Sequence, residues 1–208
     1  RMGKVANPLE PPMMERFRDQ LENDRPLRDL ELNPDEVKLS SGYTFLTQKP
    51  MIVVFNHEEG AEAPADVIDA ARATGAETVS LCASVEEELA ELDAAEAAEF
   101  LADMGIAEPA LNQMIRASYG ALDLQSFFTV GEDECRAWAV RKGAPAPVAA
   151  GVIHSDLQRG FIRAEVTAYD DLIAAGSMAA AKQANKVRLE GKGYEVQDGD
   201  ILEIRFSV

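Results

Sequence analysis

The sequence has few cysteines and no long apolar run, and each shortage excludes a class of protein. Its two cysteines, Cys82 and Cys135, lie far apart and form no Cys-x-x-Cys motif. We therefore expect neither a disulfide nor a zinc site, and a reducing compartment fits best. No stretch approaches the roughly 20 apolar residues that a membrane-spanning helix needs, and no signal-peptide pattern is present. These shortages predict a cytoplasmic protein with no membrane partner.

Basic residues are scarce in the N-terminal part of the chain. The formal net charge is −17, and residues 1–122 contain 10 Lys and Arg against 24 Asp and Glu, whereas residues 123–208 contain 10 against 13. A field of this sign repels phosphate backbones, which argues against non-specific nucleic-acid binding. We also expect no sequence-specific DNA partner. A local basic face on the C-terminal part remains open. The candidate residues for such a face are Arg136, Arg141, Lys142, Arg159 and Arg163.

Helical and strand patterns alternate in the N-terminal part. Met13, Phe17 and Leu21 recur every four residues and predict a helix over 13–23. The apolar run 51–55 is typical of a strand buried on both faces of a parallel sheet. The further predicted elements are a helix over 64–73, a strand over 77–84, a helix over 85–103 and a helix over 109–120. This order predicts an α/β layer.

Short strands dominate after Leu122. "LQSFFTV" and "CRAWAV", with Gly131 in the turn between them, predict a β-hairpin. In "FIRAEVTAY" the alternation places Phe161 on the same face as Arg163 and Glu165. The other predicted elements are helices over 147–159 and 171–184 and strands in "KVRLEGKGYEV" and "ILEIRFSV", with Gly160 as the residue that ends the first helix. Together they predict an α+β fold of the β-grasp, ubiquitin-like kind.

Two residues of the C-terminal part could indicate either chemistry or packing. His154 and Asp156 lie two apart on a predicted helix, so they face different directions and cannot form an acid–base pair. His154 is then a capping or packing residue, or an exposed recognition residue. Trp138, the single tryptophan, is either part of the core or a platform for a base or a protein partner. No catalytic residue is predicted.

A series of short motifs connects this sequence to a known family. FFT, RAW, RKG, AAGxIHxD, GFIxAEV, YDD, LEGKxY and DGD occur in this order after Leu122. They resemble the C-terminal TGS domain of the Obg-like ATPase (YchF) family, and "LTQKPMIVVFN" resembles the same family more loosely. The resemblance implies a partial P-loop NTPase domain with a helical segment, followed by a TGS β-grasp domain. The implied domains are residues 1–36, the end of a helical insertion, 37–122, the C-terminal half of the nucleotide-binding domain, and 123–208, the TGS domain.

The resemblance also implies a function for the whole protein. Members of the family bind and hydrolyse ATP with Mg²⁺ and associate with the ribosome, and we expect the large subunit to be the partner. No GxxxxGK[ST] string occurs here, and the sequence begins with Arg1 rather than Met. We therefore expect a fragment that lacks the P-loop and the Mg²⁺ ligands and is inactive by itself. No metal-binding residue is predicted in it.

The resemblance places a base-binding site at "NHEE". Asn56 and Glu59 match the N-x-x-E that replaces the N-K-x-D of GTPases. The aspartate of N-K-x-D accepts two hydrogen bonds from guanine that adenine does not offer, so we expect ATP rather than GTP. "CAS" stands where the family has S-A-K, and its lysine is absent. The nucleotide-binding residues that the resemblance implies are Asn56, His57, Glu59, Cys82, Ala83 and Ser84.

Other functions stay open at this point. "NHEEG" could be a polar turn after a strand and nothing more. The chain could also be a non-enzymatic β-grasp binding module that works without nucleotide. Finally, the parent protein could be a GTPase.

Overall fold

The computed structural model describes residues 7–131 and 133–207. These residues form two compact units, and the division falls between Ala110 and Leu111. Helices and strands alternate along the chain, so the α/β class is confirmed. The predicted domain boundaries after residues 36 and 122 stay predictions. Within the described ranges, no helix is long and apolar enough to cross a membrane.

The first unit begins with helix α1, Glu10–Glu22. The predicted face is confirmed at Met13 and Phe17, which are buried, whereas Leu21 is exposed. The helix starts earlier than predicted and contains Pro11 and Pro12 in its first turn, where a missing N–H leaves no hydrogen bond unmade.

Helix α2, Pro34–Ser40, follows, and short 3₁₀ turns flank it. The Asn33 side chain accepts hydrogen bonds from the Asp35 and Glu36 amides, and the Glu36 carboxylate accepts one from the Asn33 amide. Such a reciprocal cap stabilises the first turn of a helix. Arg16 on α1 forms an ion pair with Glu36 at 2.7 Å and so connects the two helices. The 3₁₀ turns are Leu27–Asp29, Ser41–Tyr43 and Leu46–Gln48.

A two-stranded parallel sheet follows these helices. Strand β1, Ile52–Asn56, pairs with β2, Glu77–Leu81, and helix α3, Ala65–Ala73, connects them. The predicted parallel pairing is confirmed. Val54 is 43% exposed, however, so β1 is not buried on both faces as its apolar sequence indicated.

The single helix predicted over 85–103 is wrong, because the structure has two. They are α4, Ala83–Ala90, and α5, Ala94–Asp103, and β2 ends before residues 82–84. Asp93 separates the helices, since its side chain accepts hydrogen bonds from the Ala95 and Glu96 amides. Helix α6, Ala110–Ala121, agrees with the helix predicted over 109–120.

The second unit contains a mixed five-stranded sheet. Its strands are β3, Leu124–Val130; β4, Cys135–Arg141; β5, Phe161–Ala168; β6, Arg188–Glu190; and β7, Asp200–Phe206. The order is β4-β3-β7-β5-β6, and only the β3–β7 pair is parallel. The predicted hairpin is confirmed as β3 and β4.

One face of this sheet packs against helix α7, Ala146–Ile153. Phe127 and Val140 of the hairpin are buried there, and Trp138 packs beside them. The other buried members of the core are Ala144, Ala146, Ala149, Ala150, Phe161, Ala164, Val166, Val196 and Leu202.

The helix predicted over 147–159 is also divided, and His154 is the reason. Its backbone is extended, with φ −162° and ψ 142°, and its Nδ1 accepts a hydrogen bond from the Asp156 amide at 3.1 Å. His154 therefore ends α7 and caps α8, Ser155–Arg159. Of the alternatives for this residue, the capping role is confirmed.

The predicted alternation in β5 is wrong at its start. A register shift between Phe161 and Arg163 turns Phe161 into the core beside Ala164 and Val166. Gly160 is not left-handed, since its φ is −89°. It is required for another reason: a Cβ atom at this position would overlap the carbonyl oxygen of Ser207.

The helix predicted over 171–184 is likewise two helices, α9, Tyr169–Ala175, and α10, Met178–Gln183. Gly176 adopts φ 76°, a left-handed conformation that ends α9. The Ser177 hydroxyl then accepts a hydrogen bond from the Ala180 amide and caps α10.

Candidate nucleotide-binding site

The predicted site lies at the carboxyl end of the parallel sheet in the first unit. Asn56 is the last residue of β1 and pairs in register with Leu81, the last residue of β2. The segments 57–59 and 82–84 therefore leave the sheet side by side. The carboxyl edge of such a sheet is where α/β proteins bind ligands.

Asn56 joins the two segments. Its Oδ1 accepts a hydrogen bond from the Ala83 amide at 3.0 Å, and the residue is otherwise exposed. The Ala83 N–H can only donate, so it faces Oδ1 of Asn56 and not Nδ2. This contact therefore determines the orientation of the Asn56 side-chain amide. No partner of the Asn56 amide nitrogen is found within the described ranges, which leaves its N–H groups able to donate.

His57 shapes the loop. Its backbone amide donates to the Leu81 carbonyl at 3.0 Å, which extends the pairing by one residue beyond the sheet. Its ring Nδ1 lies 3.0 Å from the Glu58 carbonyl oxygen. Because a carbonyl only accepts, Nδ1 carries the proton, and Nε2 of the neutral ring is an acceptor.

Cys82 and Ser84 interact with each other. The Cys82 Sγ lies 3.1 Å from the Ser84 Oγ, and Cys82 is buried at the start of α4. The Ser84 hydroxyl, followed by the Val85 backbone amide, lowers the pKa of the Cys82 thiol, while the negative charge of Glu59 opposes the shift. Glu59 follows the end of β1, three residues beyond Asn56 along the chain.

The site has no positive charge of its own. Residues 56–63 and 82–91 contain no Lys or Arg and seven glutamates, namely Glu58, Glu59, Glu62, Glu86, Glu87, Glu88 and Glu91. Such a surface repels a triphosphate but can accept an uncharged purine ring. No group of three His, Cys, Asp or Glu side chains within the described ranges is placed to hold a metal ion.

The structure thus brings the six predicted residues to one edge, and it adds two groups that sequence reasoning missed. These are the carbonyls of Leu81 and Glu58, which position His57. Backbone groups carry no residue-specific signal, so no motif could have indicated them.

Comparisons with known proteins bear on this site. The family YchF-GTPase_C, described as a protein of unknown function (DUF933), matches residues 124–207. The ribosome-binding ATPase YchF of Bacillus subtilis (strain 168) is 45% identical over 203 residues, which cover 94% of this chain and 56% of the relative. Human Obg-like ATPase 1 is 38% identical over 187 residues, covering 84% of this chain and 46% of the relative.

This chain belongs to the YchF family. The solved structure of the Schizosaccharomyces pombe YchF GTPase superposes with a TM-score of 0.80 at 30% identity, covering 97% of this chain and 57% of that one. The fold of the chain is therefore that of YchF structures. The chain spans about half the length of the curated YchF relatives it matches.

Proposed function

We propose that this chain carries the base-binding part of a YchF ATPase that associates with the ribosome in the cytoplasm. Its relatives bear the name ribosome-binding ATPase, which supports both the chemistry and the partner. The observation that carries the proposal is the Asn56–Ala83 hydrogen bond, because it holds two strand-end loops together and leaves an amide donor exposed beside them.

The exposed amide suits a purine. The Asn56 Nδ2 would donate to N7 of the base, and Oδ1 is already bonded to Ala83. N7 is present in adenine and in guanine, so this contact orients the base without selecting it. Selection between adenine and guanine would depend on Glu59 and on backbone groups of residues 82–84. These groups would face the edge of the base that carries the amino group in adenine.

The phosphates of ATP need cations that these loops lack. We therefore place phosphate and Mg²⁺ binding in other parts of the full-length protein and expect the 208-residue chain to bind ATP weakly without hydrolysing it. This assignment agrees with the length of the relatives, of which the chain covers about half.

For the second unit, we propose a TGS β-grasp domain that contacts the large ribosomal subunit. The five-stranded mixed sheet with a helix on one face supports this assignment, as do the motifs quoted above. Co-sedimentation of the chain with separated subunits tests it. We expect the chain to pellet with the large subunit, and equal recovery with both subunits or with neither would contradict the assignment.

The base site is tested by Asn56→Ala, with Asn112→Ala on the exposed surface of α6 as the matched control. One neutral hydrogen bond contributes about 0.5–1.5 kcal/mol, so Asn56→Ala should weaken adenosine or ATP binding by about two- to twelvefold. Protein NMR titration measures this even for weak binding, and the Asn56 side-chain amide should shift. Equal affinities for Asn56→Ala and the control would contradict the site.

A GTPase is the second candidate, because the solved yeast relative is described as a GTPase. The same titration with GTP decides between the two nucleotides. Tighter binding of ATP supports the proposal, and tighter binding of GTP supports the alternative.

A further inference from the structure

The two edges of the five-stranded sheet differ in length. Strand β6 forms one edge with three residues, whereas β4 forms the other with seven. A long edge strand presents backbone donors and acceptors that can pair with another chain. Cys135, Ala137 and Ala139 of β4 are all exposed.

The register identifies which backbone groups are free. The Gly131 amide donates to the Glu134 carbonyl, and the Lys142 amide donates to the Asp123 carbonyl. Hydrogen-bonded pairs alternate along an antiparallel ladder, so residues 136, 138 and 140 bond to β3 between these two points. The amides and carbonyls of Ala137 and Ala139 therefore point away from the sheet.

The side chains of β4 leave this edge accessible. Val140 is buried and Trp138 packs on the core, so Ala137 and Ala139 lie on the opposite face, where both are exposed. The strand contains no proline, and the face that carries Ala137 and Ala139 has only small, uncharged residues before Arg141. Natural proteins usually protect a long edge with proline, central charges or a covering element.

Positive charges stand at both ends of this accessible stretch. Arg136, Arg141 and Lys142 form no ion pair within the described ranges. Five other cations of the second unit bond to carboxylates, namely Arg159, Lys182, Lys186, Arg188 and Arg205, whereas Arg163 and Lys192 form no ion pair within the described ranges either. The edge of β4 therefore offers outward backbone groups together with three cations that have no ion pair among the described residues, of which Arg141 and Lys142 lie at the end far from the acidic residues Asp133 and Glu134.

The environment of Trp138 favours a protein ligand over RNA at this edge. The Arg136 guanidinium lies 4.2 Å from the Trp138 ring centroid and covers one face of the ring. The indole Nε1 already donates to the Thr129 hydroxyl at 3.0 Å. A base could not stack on the covered face, whereas an extended peptide needs only the backbone edge and the cations.

We propose that the β4 edge binds an extended, acidic peptide segment of a protein partner, which adds to the sheet as a strand. The outward amides and carbonyls of Ala137 and Ala139 pair with its backbone. Arg136 and Arg141 attract its carboxylates from the two faces of the sheet. The nucleotide site in the first unit takes no part in this binding.

The probe is the fluorescein-labelled hexapeptide Glu-Glu-Val-Val-Glu-Glu, which presents glutamates on both faces of an added strand. Its binding to the full 208-residue chain is measured by fluorescence anisotropy. The same peptide with lysine for glutamate, and a single-stranded oligouridine, are the competing probes. Ala137→Pro removes only an outward amide, because proline tolerates the extended backbone of an edge strand. Ala137→Val, which keeps the amide, is the matched control.

We expect Ala137→Pro to weaken binding about tenfold, and the double variant Arg136→Gln/Arg141→Gln to weaken it by a similar factor, since tenfold corresponds to the loss of one or two hydrogen bonds or ion pairs. Ala137→Val should bind as the unchanged chain does. Residue-resolved amide exchange on the unchanged chain gives a second readout that does not depend on any variant. The Ala137 and Ala139 amides should become protected when the acidic peptide is added.

Three outcomes would overturn the proposal. The first is that the acidic peptide does not bind. The second is that the Ala137→Pro and Ala137→Val variants bind it with equal affinity. The third is that oligouridine binds and the Ala137 and Ala139 amides gain no protection.

Discussion

The two units of this chain bury their apolar side chains in different ways. In the second unit, eleven buried residues form one continuous core beneath a five-stranded sheet. In the first, two separate clusters contain three buried residues each. Its two-stranded sheet is below the size that is stable by itself in water. The second unit therefore has the features of an independently stable domain, whereas the first depends more on local contacts.

Both units combine helix caps with polar contacts between different segments of the chain, such as Arg16–Glu36 in the first and Tyr194–Asp200 in the second. In the first, helix caps at Asn33 and Asp93 satisfy backbone amides within single helices. In the second, the Tyr194 hydroxyl donates to the buried Asp200 carboxylate at 2.6 Å and accepts from Arg188 at 2.9 Å. These contacts connect residues on either side of a loop and so depend on the tertiary fold.

The largest effect should come from truncating each core in turn. Phe127 is fully buried in the second unit, so Phe127→Ala should lower its free energy of unfolding by about 3–5 kcal/mol. Met13→Ala, in a cluster of three buried residues, should lower that of the first unit by about 2–3 kcal/mol. Urea denaturation followed by residue-resolved amide exchange measures each unit separately. A single transition that both substitutions shift equally would contradict the comparison.

An intermediate effect is expected for Tyr194→Phe. The substitution removes a hydrogen bond to a buried carboxylate, which should cost about 1–3 kcal/mol in the second unit only. Burial, with Asp200 beside it, raises the pKa of Tyr194 from 10.0 to about 12. This contribution to stability is therefore complete below pH 10 and is lost as the pH rises through about 12. Ultraviolet difference titration should show a late-ionising tyrosine that is absent from Tyr194→Phe.

The smallest effect should come from Glu165 of the same sheet, whose carboxylate is partly buried. Arg205 lies 2.8 Å from its Oε1 and Lys182 3.0 Å from its Oε2, and these cations, Arg205 first, lower the pKa of Glu165. The stabilisation is present above the ordinary glutamate pKa and is lost as the pH falls through the lowered value. Glu165→Gln should therefore cost less than about 1 kcal/mol at neutral pH and nothing in strong acid.

Urea midpoints at neutral and acidic pH check this prediction, with Glu203→Gln as the control. Glu203 contacts the same arginine at 3.1 Å but is half exposed and does not contact Lys182. We expect a smaller change for Glu203→Gln. If the urea midpoint changes equally between neutral and acidic pH for Glu165→Gln and for the unchanged chain, the role of Glu165 is contradicted.

Much of the element order could be predicted, and the failures have identifiable causes. Periodicity predicted α1, a continuous apolar run predicted β1, and two strand-like segments around Gly131 predicted the β3–β4 hairpin, because each of these signals lies within a few residues. Three predicted helices were in fact pairs, divided at Asp93, His154 and Ser177. The Asp-x-x-Glu at 93–96 is a visible cap, but a histidine cap is rare and was not distinguishable from a helical histidine.

The sequence predicts which residues form the candidate site, but it does not predict the contacts between them. The motif N-x-x-E identified Asn56 and Glu59, but the contact between Asn56 and Ala83 joins residues 27 positions apart. Such a contact follows from the parallel register of β1 and β2, which no local pattern specifies. The turn of Phe161 into the core was unpredictable for the same reason, because the bulge depends on how β5 pairs with β7.

The position of β7 has a consequence for synthesis. It lies at the centre of the sheet, between β3 and β5, yet it follows the other four strands along the chain. Before β7 has emerged from the ribosomal exit tunnel, no strand connects the β3–β4 pair with the β5–β6 pair, and the apolar faces of both pairs remain exposed. Folding of this unit should thus complete only after β7 has emerged, through contacts of high sequence separation, which form slowly.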